Sequence, residues 1–146
     1  MLIGLDPLLG ADLLHALASM GHGDTIAIVD ANFPATTMGR RVVDVRGANA
    51  PRVLDAVLSV LPVDTFVAPA IFTMEVVGDA AAVPAPVTDF LTVLNARGLA
   101  VCDVGKLERD AFYARARDAF VIVRTGEPRA YGNILLVKGV VAPRPI

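Results

Sequence analysis

The stretch from Met20 to Asp30 reads MGHGDTIAIVD, and it indicates the fold of the chain. Residues 25–29, TIAIV, are β-branched or apolar throughout, which is typical of a strand buried on both faces of a parallel sheet. Before this strand, leucines at helical spacing predict a helix that ends near Gly21. A helix followed by a fully buried strand is the repeating unit of α/β proteins.

The rest of the chain continues the alternation of strand and helix. Strands are predicted at 42–45, 99–104, 120–123 and 133–141, one long or two short strands at 65–77, and helices at 51–61, 87–97 and 107–119. Only a turn separates the last two strands, which suggests a hairpin. No linker or repeat interrupts the pattern, so we expect a single domain over residues 1–146. Its predicted architecture is a three-layer α/β/α fold with a mostly parallel central sheet.

The composition favours a soluble protein that buries apolar surface in an assembly. Apolar residues make up 55% of the chain, above the about 45–50% of a typical soluble domain. No uncharged stretch approaches the ~20 residues of a membrane span, and the N-terminus lacks the basic region of a signal peptide. We therefore expect a cytoplasmic homo-oligomer without membrane contact. The net charge of −2, with no cluster of Lys and Arg, argues against nucleic-acid binding.

The sequence contains no recognisable cofactor or metal motif. The glycines of GHGDTI lack the third glycine of a dinucleotide-binding fingerprint and precede a strand instead of following one. There is also no phosphate-binding loop. With two histidines and one cysteine, no common metal-ligand spacing is present. We expect neither cofactor nor metal. Cys102 lies in the apolar run LAVCDV, which predicts a small buried side chain.

His22 and Asp30 are the candidates for acid–base chemistry. Asp30 follows the buried strand at its carboxyl end, where open α/β sheets bind ligands. His22 precedes the same strand, and five residues of strand span about 17 Å. The two side chains can therefore share a site only if the turn folds back or a second subunit supplies one of them. Plain structural roles, a polar loop residue and an Asx turn, are the alternatives.

Three more residues suit a sugar site. Arg109 is placed near the start of a helix, where the helix dipole mildly opposes its charge. Tyr131 and Asn133 flank Gly132 in a turn. An aromatic face packs on the C–H patches of a sugar, and an amide both donates to and accepts from hydroxyls. Ordinary helix-surface and turn roles remain open for all three.

Three segments together resemble the L-fucose mutarotase and D-ribose pyranase (RbsD/FucU) family: MGHGDTIAIVDANFPA, ERDAFYARARDAFVIVRTGE and YGNILLVKGVV. The resemblance runs from about Leu8 to Val141. It implies an RbsD-like α/β fold and an isomerase that interconverts sugar forms without cofactor or metal. It also implies ring-like homo-oligomers, commonly decamers, whose active sites lie at subunit contacts.

The resemblance also assigns roles to the candidate residues. His22 in GHGD matches the general acid, and Asp30 in DANFPA matches a sugar-binding carboxylate, so both are predicted to be catalytic. Arg109, Tyr131 and Asn133 match positions that, with Asp30, contact the sugar. Arg109 and the segment ANFPA resemble the fucose-type members, which favours a mutarotase for L-fucose or a related monosaccharide. The alternatives are a D-ribose pyranase and a sugar-binding regulatory module without catalysis.

Overall fold

Six strands form the centre of the fold in the computed structural model, which describes residues 1–146. They are β1 (Thr25–Val29), β2 (Val42–Val45), β3 (Ile71–Met74), β4 (Val104–Leu107), β5 (Val121–Thr125) and β6 (Ile134–Val137). They lie in one sheet in the order β2-β5-β1-β6-β3-β4. Strand β6 runs antiparallel to β1 and β3, and the three other pairings are parallel. The prediction of a mostly parallel central sheet is confirmed.

Five helices cover the two faces of this sheet. They are α1 (Ala11–Ser19), α2 (Ala35–Met38), α3 (Ala50–Leu58), α4 (Ala85–Ala96) and α5 (Arg109–Asp118). Helices α1, α3 and α4 pack on one face, and α2 and α5 pack on the other. The three-layer architecture is therefore as expected. None of these helices is both long and apolar enough to cross a membrane.

Strand β1 lies in the middle of the sheet because both of its faces are apolar. Ile26 and Ile28 enter the core beneath α1, α3 and α4, whereas Ala27 and Val29 enter the core beneath α2 and α5. All four side chains are fully buried. Successive residues of a strand point to opposite faces, so only a continuous apolar run fits this position.

The predicted C-terminal hairpin is wrong. Strand β6 does not pair with β5 but lies on the far side of β1, between β1 and β3. The segment 126–133 carries the chain past the end of β1 before β6 begins. The physical reason is burial: Ile134, Leu135 and Leu136 are at most 1% exposed. Such a strand needs neighbours on both sides and layers on both faces.

Three predicted strands are also shorter or displaced, and one of them is β6, which covers only Ile134–Val137 of the predicted 133–141. The strand predicted at 65–77 is restricted to Ile71–Met74, and Pro69, which has no N–H to donate to a ladder, lies in the loop before it. The strand predicted at 99–104 begins only at Val104, after a 3₁₀ turn over Val101–Asp103. Cys102 lies in this turn and is exposed, so the prediction of a buried cysteine is wrong.

Candidate active site

Four of the five predicted site residues line one cavity of about 260 Å³ at the carboxyl end of β1. They are Asp30, Arg109, Tyr131 and Asn133. The remaining lining residues are Asn32, Phe33, Met74, Val77, Tyr113 and Ala130. We call this space the Asp30 cavity. It lies where the sequence predicts a ligand site, beyond the carboxyl end of a buried parallel strand.

The Asp30 carboxylate is held by a pair of reciprocal hydrogen bonds with Asn133. The Asp30 N–H donates to Asn133 Oδ1 at 2.9 Å, and Asn133 Nδ2 donates to Asp30 Oδ2 at 3.0 Å. The Asn32 N–H donates to Asp30 Oδ1 at 3.0 Å. Both side chains are buried. Asn133, predicted as a direct sugar contact, thus also orients the carboxylate at the cavity wall.

Burial raises the pKa of Asp30 above its usual value. The hydrogen bonds from Asn32 and Asn133 oppose this shift without cancelling it, and the negative charge of Glu127 adds to it. The hydration lost on burial disfavours the charged form more than these donors restore it. A carboxylate with a raised pKa is a better proton acceptor than an exposed one, which suits it to acid–base work.

Beneath Asp30 lies an ion-pair network that the sequence reasoning missed. Glu127 is fully buried and accepts from Arg129 Nε at 2.7 Å and from Nη2 at 3.0 Å. Arg129 Nη1 also donates to Asp89 Oδ2 at 2.8 Å. The bidentate bond from Arg129 holds the pKa of Glu127 below its usual value. The adjacent arginine in the TGEPR segment is the only signal in the sequence for this pair.

Gly132 allows Asp30 and Glu127 to approach each other across the turn. A Cβ at this position would lie 2.6 Å from Glu127 Cγ and 3.4 Å from Asp30 Cβ. Its neighbour Tyr131 has a φ of 62°, which is uncommon for a residue with a side chain. This conformation places the Tyr131 hydroxyl where it accepts from the Val77 N–H at 3.1 Å. Tyr131 therefore ties the rim of the cavity to the loop after β3.

Arg109 occupies the open side of the Asp30 cavity. It is the first residue of α5, and its side chain is 54% exposed. Arg109 and Val77 also line an adjoining cavity of about 430 Å³, which Glu75, Asp79 and Glu108 surround. No carboxylate holds the guanidinium closely, since its nearest acidic partner, Asp110, is 3.9 Å away. Its donors are therefore available to ligand hydroxyls.

His22 lies apart from these four residues, at the amino end of β1. It lines a separate cavity of about 430 Å³, which shares no residue with the Asp30 cavity. We call it the His22 cavity; it also contains Thr25, Phe66 and Arg115. The turn does not fold back towards Asp30. The structure thus keeps His22 and Asp30 at opposite ends of one strand within a protomer.

The partner of His22 is Asp64, which the sequence reasoning did not select. His22 Nε2 lies 3.0 Å from Asp64 Oδ1, and the Phe66 ring lies 5.3 Å from the imidazole. The His22 side chain is 46% exposed, but that of Asp64 is only 2% exposed. Forty-two residues separate the pair, and no local spacing signals it. Asp64 also lies beside the apolar run that the sequence analysis interpreted as a strand.

Hydrogen bonding favours the ionised form of Asp64 despite its burial. Burial alone would raise its pKa, but hydrogen bonds from the Phe66 N–H and the His22 ring outweigh that effect. The pKa of Asp64 consequently lies below the usual value. No group of three or more His, Cys, Asp or Glu side chains converges to hold a metal ion.

A small cavity walled by a buried carboxylate, an amide and a phenol has the convergent polar groups typical of a site for a small polar molecule. The chain belongs to the RbsD / FucU transport protein family, whose model matches residues 3–141. It is 42% identical to the fucose mutarotase of Homo sapiens over 149 residues, which cover 98% of this chain and 96% of the human protein.

Solved structures show the same fold. The fucose mutarotase of Streptococcus pneumoniae in complex with L-fucose is 35% identical, with a TM-score of 0.91 over 97% of this chain and 100% of that one. RbsD of Bacillus subtilis complexed with D-ribose has a TM-score of 0.74 over 97% of this chain and 100% of that chain. Its identity is 19%, so this second likeness concerns the fold alone.

Proposed function

We propose that this protein is a mutarotase that interconverts the α and β anomers of L-fucose or a closely related monosaccharide. The observation that carries the proposal is the Asp30 cavity, where a buried carboxylate, a guanidinium and a phenol surround space for one sugar ring. The full-length similarity to human fucose mutarotase and to the L-fucose complex from Streptococcus pneumoniae supports this substrate class.

Mutarotation needs two proton transfers and no redox step. As the ring opens, the ring oxygen gains a proton and the anomeric hydroxyl loses one, leaving a free aldehyde. In our proposal a protonated His22 gives the proton to the ring oxygen, and Asp30 accepts the proton of the anomeric hydroxyl. Reclosure on the other face of the aldehyde reverses both transfers. One such acid–base group contributes about 10²–10⁴-fold to a rate.

Arg109, Tyr131 and Asn133 bind rather than react in this scheme. Arg109 donates to sugar hydroxyls from the open side of the cavity, and the Tyr131 ring packs against the C–H face of the sugar. Asn133 keeps the Asp30 carboxylate turned into the cavity. The aldehyde must rotate about its C1–C2 bond before it recloses, so these groups hold the far side of the sugar.

The separation of His22 from Asp30 leads us to propose a composite site between protomers of a ring-like homo-oligomer, such as a decamer. A neighbouring protomer would bring its His22 to the open side of the Asp30 cavity. The surface next to His22 supports this arrangement, because Phe66 is 73% exposed and Val67 is 49% exposed. Exposed apolar side chains beside a functional group are typical of an interface.

We assign the reaction to the cytoplasm as part of the same proposal. The only cysteine, Cys102, is exposed and unpaired, which is the usual condition of a thiol in a reducing compartment. Fractionation of the native host with an antibody to the chain tests this location. Recovery of the protein outside the cytoplasmic fraction would contradict it.

Magnetisation-transfer NMR tests the activity directly. We expect the protein to accelerate exchange between the α and β signals of L-fucose and His22→Ala to abolish it. His15→Ala, which alters the exposed histidine of α1, is the matched control and should exchange at the wild-type rate. Exchange between pyranose and furanose signals of D-ribose alone would instead identify a ribose pyranase. Binding without any exchange would identify a regulatory sugar-binding module.

Mixed oligomers test the composite site. His22→Ala and Asp30→Asn protomers should each be inactive alone. When the two are co-expressed, a site that takes His22 from one chain and Asp30 from its neighbour regains about a quarter of the wild-type activity. If each protomer carried a complete site, the mixture would stay inactive. That result would contradict the composite site, but it would not contradict the proposal that the wild-type protein is a mutarotase.

A further inference from the structure

The His22–Asp64 pair carries an inference about which atom of the histidine reacts. We propose that Asp64 is a positioning residue that holds His22 as the Nε2-protonated tautomer, so that Nδ1 is the nitrogen that exchanges a proton with the sugar. The part of this inference that concerns proton exchange with the sugar rests on the proposed mutarotase function. The tautomer itself is a property of the free protein and can be measured without any sugar.

The backbone at the end of β6 holds both Asp64 and the turn that contains His22. The Asp64 N–H donates to Val137 O at 2.9 Å, and the Gly23 N–H donates to Lys138 O at 2.9 Å. Both halves of the pair are therefore anchored to adjacent residues at the end of β6. Gly139 allows this close approach, because a Cβ there would lie 2.8 Å from Asp64 Cα.

The chemistry of Asp64 decides the direction of the hydrogen bond. Asp64 Oδ1 already accepts from the Phe66 N–H at 3.2 Å, and a carboxylate has only acceptor sites to offer. The 3.0 Å contact to His22 Nε2 is therefore a bond in which the imidazole donates. A neutral imidazole has one N–H, so the proton must be on Nε2.

Nδ1 then remains as the free acceptor of the ring. It makes no hydrogen bond within the chain, and the ring is 46% exposed although Asp64 is 2% exposed. Asp64 thus covers one edge of the imidazole and leaves the other open to a ligand. The imidazole takes a proton at Nδ1, gives it to the sugar ring oxygen and returns to the same neutral tautomer, without the ring having to rotate.

Long-range ¹H–¹⁵N correlation NMR of the free, full-length protein tests the tautomer. The chain has two histidines, and His15→Gln assigns the spectrum by removing one. In the neutral imidazole, we expect His22 to show a protonated Nε2 and an unprotonated Nδ1. A His22 spectrum with the proton on Nδ1, or with the two tautomers mixed as in an unconstrained imidazole, would overturn the inference.

Asp64→Asn tests the consequence for catalysis. An amide of the same shape can donate to Nε2 as well as accept from it, so the tautomers should mix and the exchange rate of L-fucose should fall at least about tenfold. The affinity for L-fucose should stay close to wild type, because Asp64 does not line the Asp30 cavity. Asp103→Asn is the matched control, since Asp103 is an exposed carboxylate in the cavity next to Asp64 and does not contact His22.

The outcomes separate this inference from the proposed function. If wild-type protein fails to exchange fucose anomers but shows the Nε2-protonated tautomer, the function is wrong and the tautomer assignment stands. If the wild type exchanges anomers and a folded Asp64→Asn variant does so at an equal rate, the positioning role of Asp64 is refuted. If Asp64→Asn does not fold, the wild-type tautomer spectrum alone decides the assignment.

Discussion

The two ends of β1 each present a carboxylate with a hydrogen-bonding partner, but they are built in opposite ways. At the carboxyl end, Asp30 and Asn133 are both buried and exchange two hydrogen bonds in a closed pair. At the amino end, a buried Asp64 holds a half-exposed His22, beside an exposed Phe66. The Asp30–Asn133 pair closes its hydrogen bonds within the protomer, whereas the His22 ring is half-exposed to its surroundings.

This difference indicates a division of labour. A sugar is recognised by donors and acceptors held at fixed positions, and burial with full hydrogen bonding provides that rigidity. A histidine that transfers a proton must instead present one ring nitrogen to its substrate, while a hydrogen bond at the other nitrogen sets its tautomer. In the proposed mechanism the Asp30 end binds the sugar and accepts the proton of its anomeric hydroxyl, and the His22 end supplies the group that protonates the ring oxygen.

Removal of the Asp30 charge should have the largest effect on binding. Asp30→Asn replaces the carboxylate by an amide, and the loss of a charged hydrogen bond should lower L-fucose affinity about 10- to 100-fold. His22→Ala should leave the affinity much closer to wild type, since His22 acts on the proton. Isothermal titration calorimetry measures both. Equal losses of affinity in the two variants would contradict the assignment of sugar binding to Asp30 rather than to His22.

The ion pair beneath Asp30 should contribute strongly to stability. Glu127→Ala leaves Arg129 without its bidentate partner and should lower the free energy of unfolding by about 2–3 kcal/mol. Asp44→Ala is a matched control, because Asp44 also binds an arginine, Arg124, at 2.7 and 3.1 Å but is 48% exposed. Chemical denaturation should show a clearly smaller loss for Asp44→Ala. Similar losses would show that burial adds nothing to the Glu127 pair.

Tight packing at the Asp30 end should make Gly132 sensitive to a single methyl group. Gly132→Ala brings a Cβ within 2.6 Å of Glu127 Cγ, and such overpacking should cost about 1–3 kcal/mol of stability. A Cβ on the exposed Gly47 meets no atom within 4 Å, so Gly47→Ala should unfold at nearly the wild-type temperature. Differential scanning calorimetry compares them. A Gly132→Ala protein as stable as Gly47→Ala would mean that the turn relaxes freely.

The raised pKa of Asp30 should be visible in the pH dependence of binding. The ionised carboxylate is the form that accepts from sugar hydroxyls, so affinity is lost as the pH falls through the folded-state pKa. Burial raises that pKa above the 3.8 of an ordinary aspartate, so the loss should begin at a higher pH than an exposed aspartate predicts. Titration calorimetry across the acid range measures it. Asp30→Asn, which does not ionise, should lack this step.

Much of the Asp30 end could be predicted from the sequence because it is organised around local signals. A continuous apolar run predicted β1 with its observed bounds, and the rule that ligands bind beyond the carboxyl ends of strands selected Asp30. Helix position and turn chemistry selected Arg109, Tyr131 and Asn133, the resemblance carried by YGN and ERDAF assigned them sugar contacts, and the structure places all three in the same cavity. Their contact with a sugar stays a prediction.

The His22 end could be predicted only in part. The turn GHGD and its distance from Asp30 follow from chain order and strand length, and the structure places the two residues at opposite ends of β1. The partner of His22 could not be found in this way, because Asp64 is 42 residues away and is brought to the imidazole by the end of β6. The predicted hairpin would have put β6 beside β5, and it therefore gave no indication that the end of β6 lies next to His22.

The sequence by itself predicted the order of most strands and helices, because the period of apolar residues is local to each segment, although it misplaced the bounds of β3, β4 and β6. Tertiary structure alone decided that β6 lies between β1 and β3, and therefore that Asp64 meets His22 and Asn133 meets Asp30. Strand order depends on which arrangement buries every apolar face at once. That is a property of the whole sheet, and no single segment contains it.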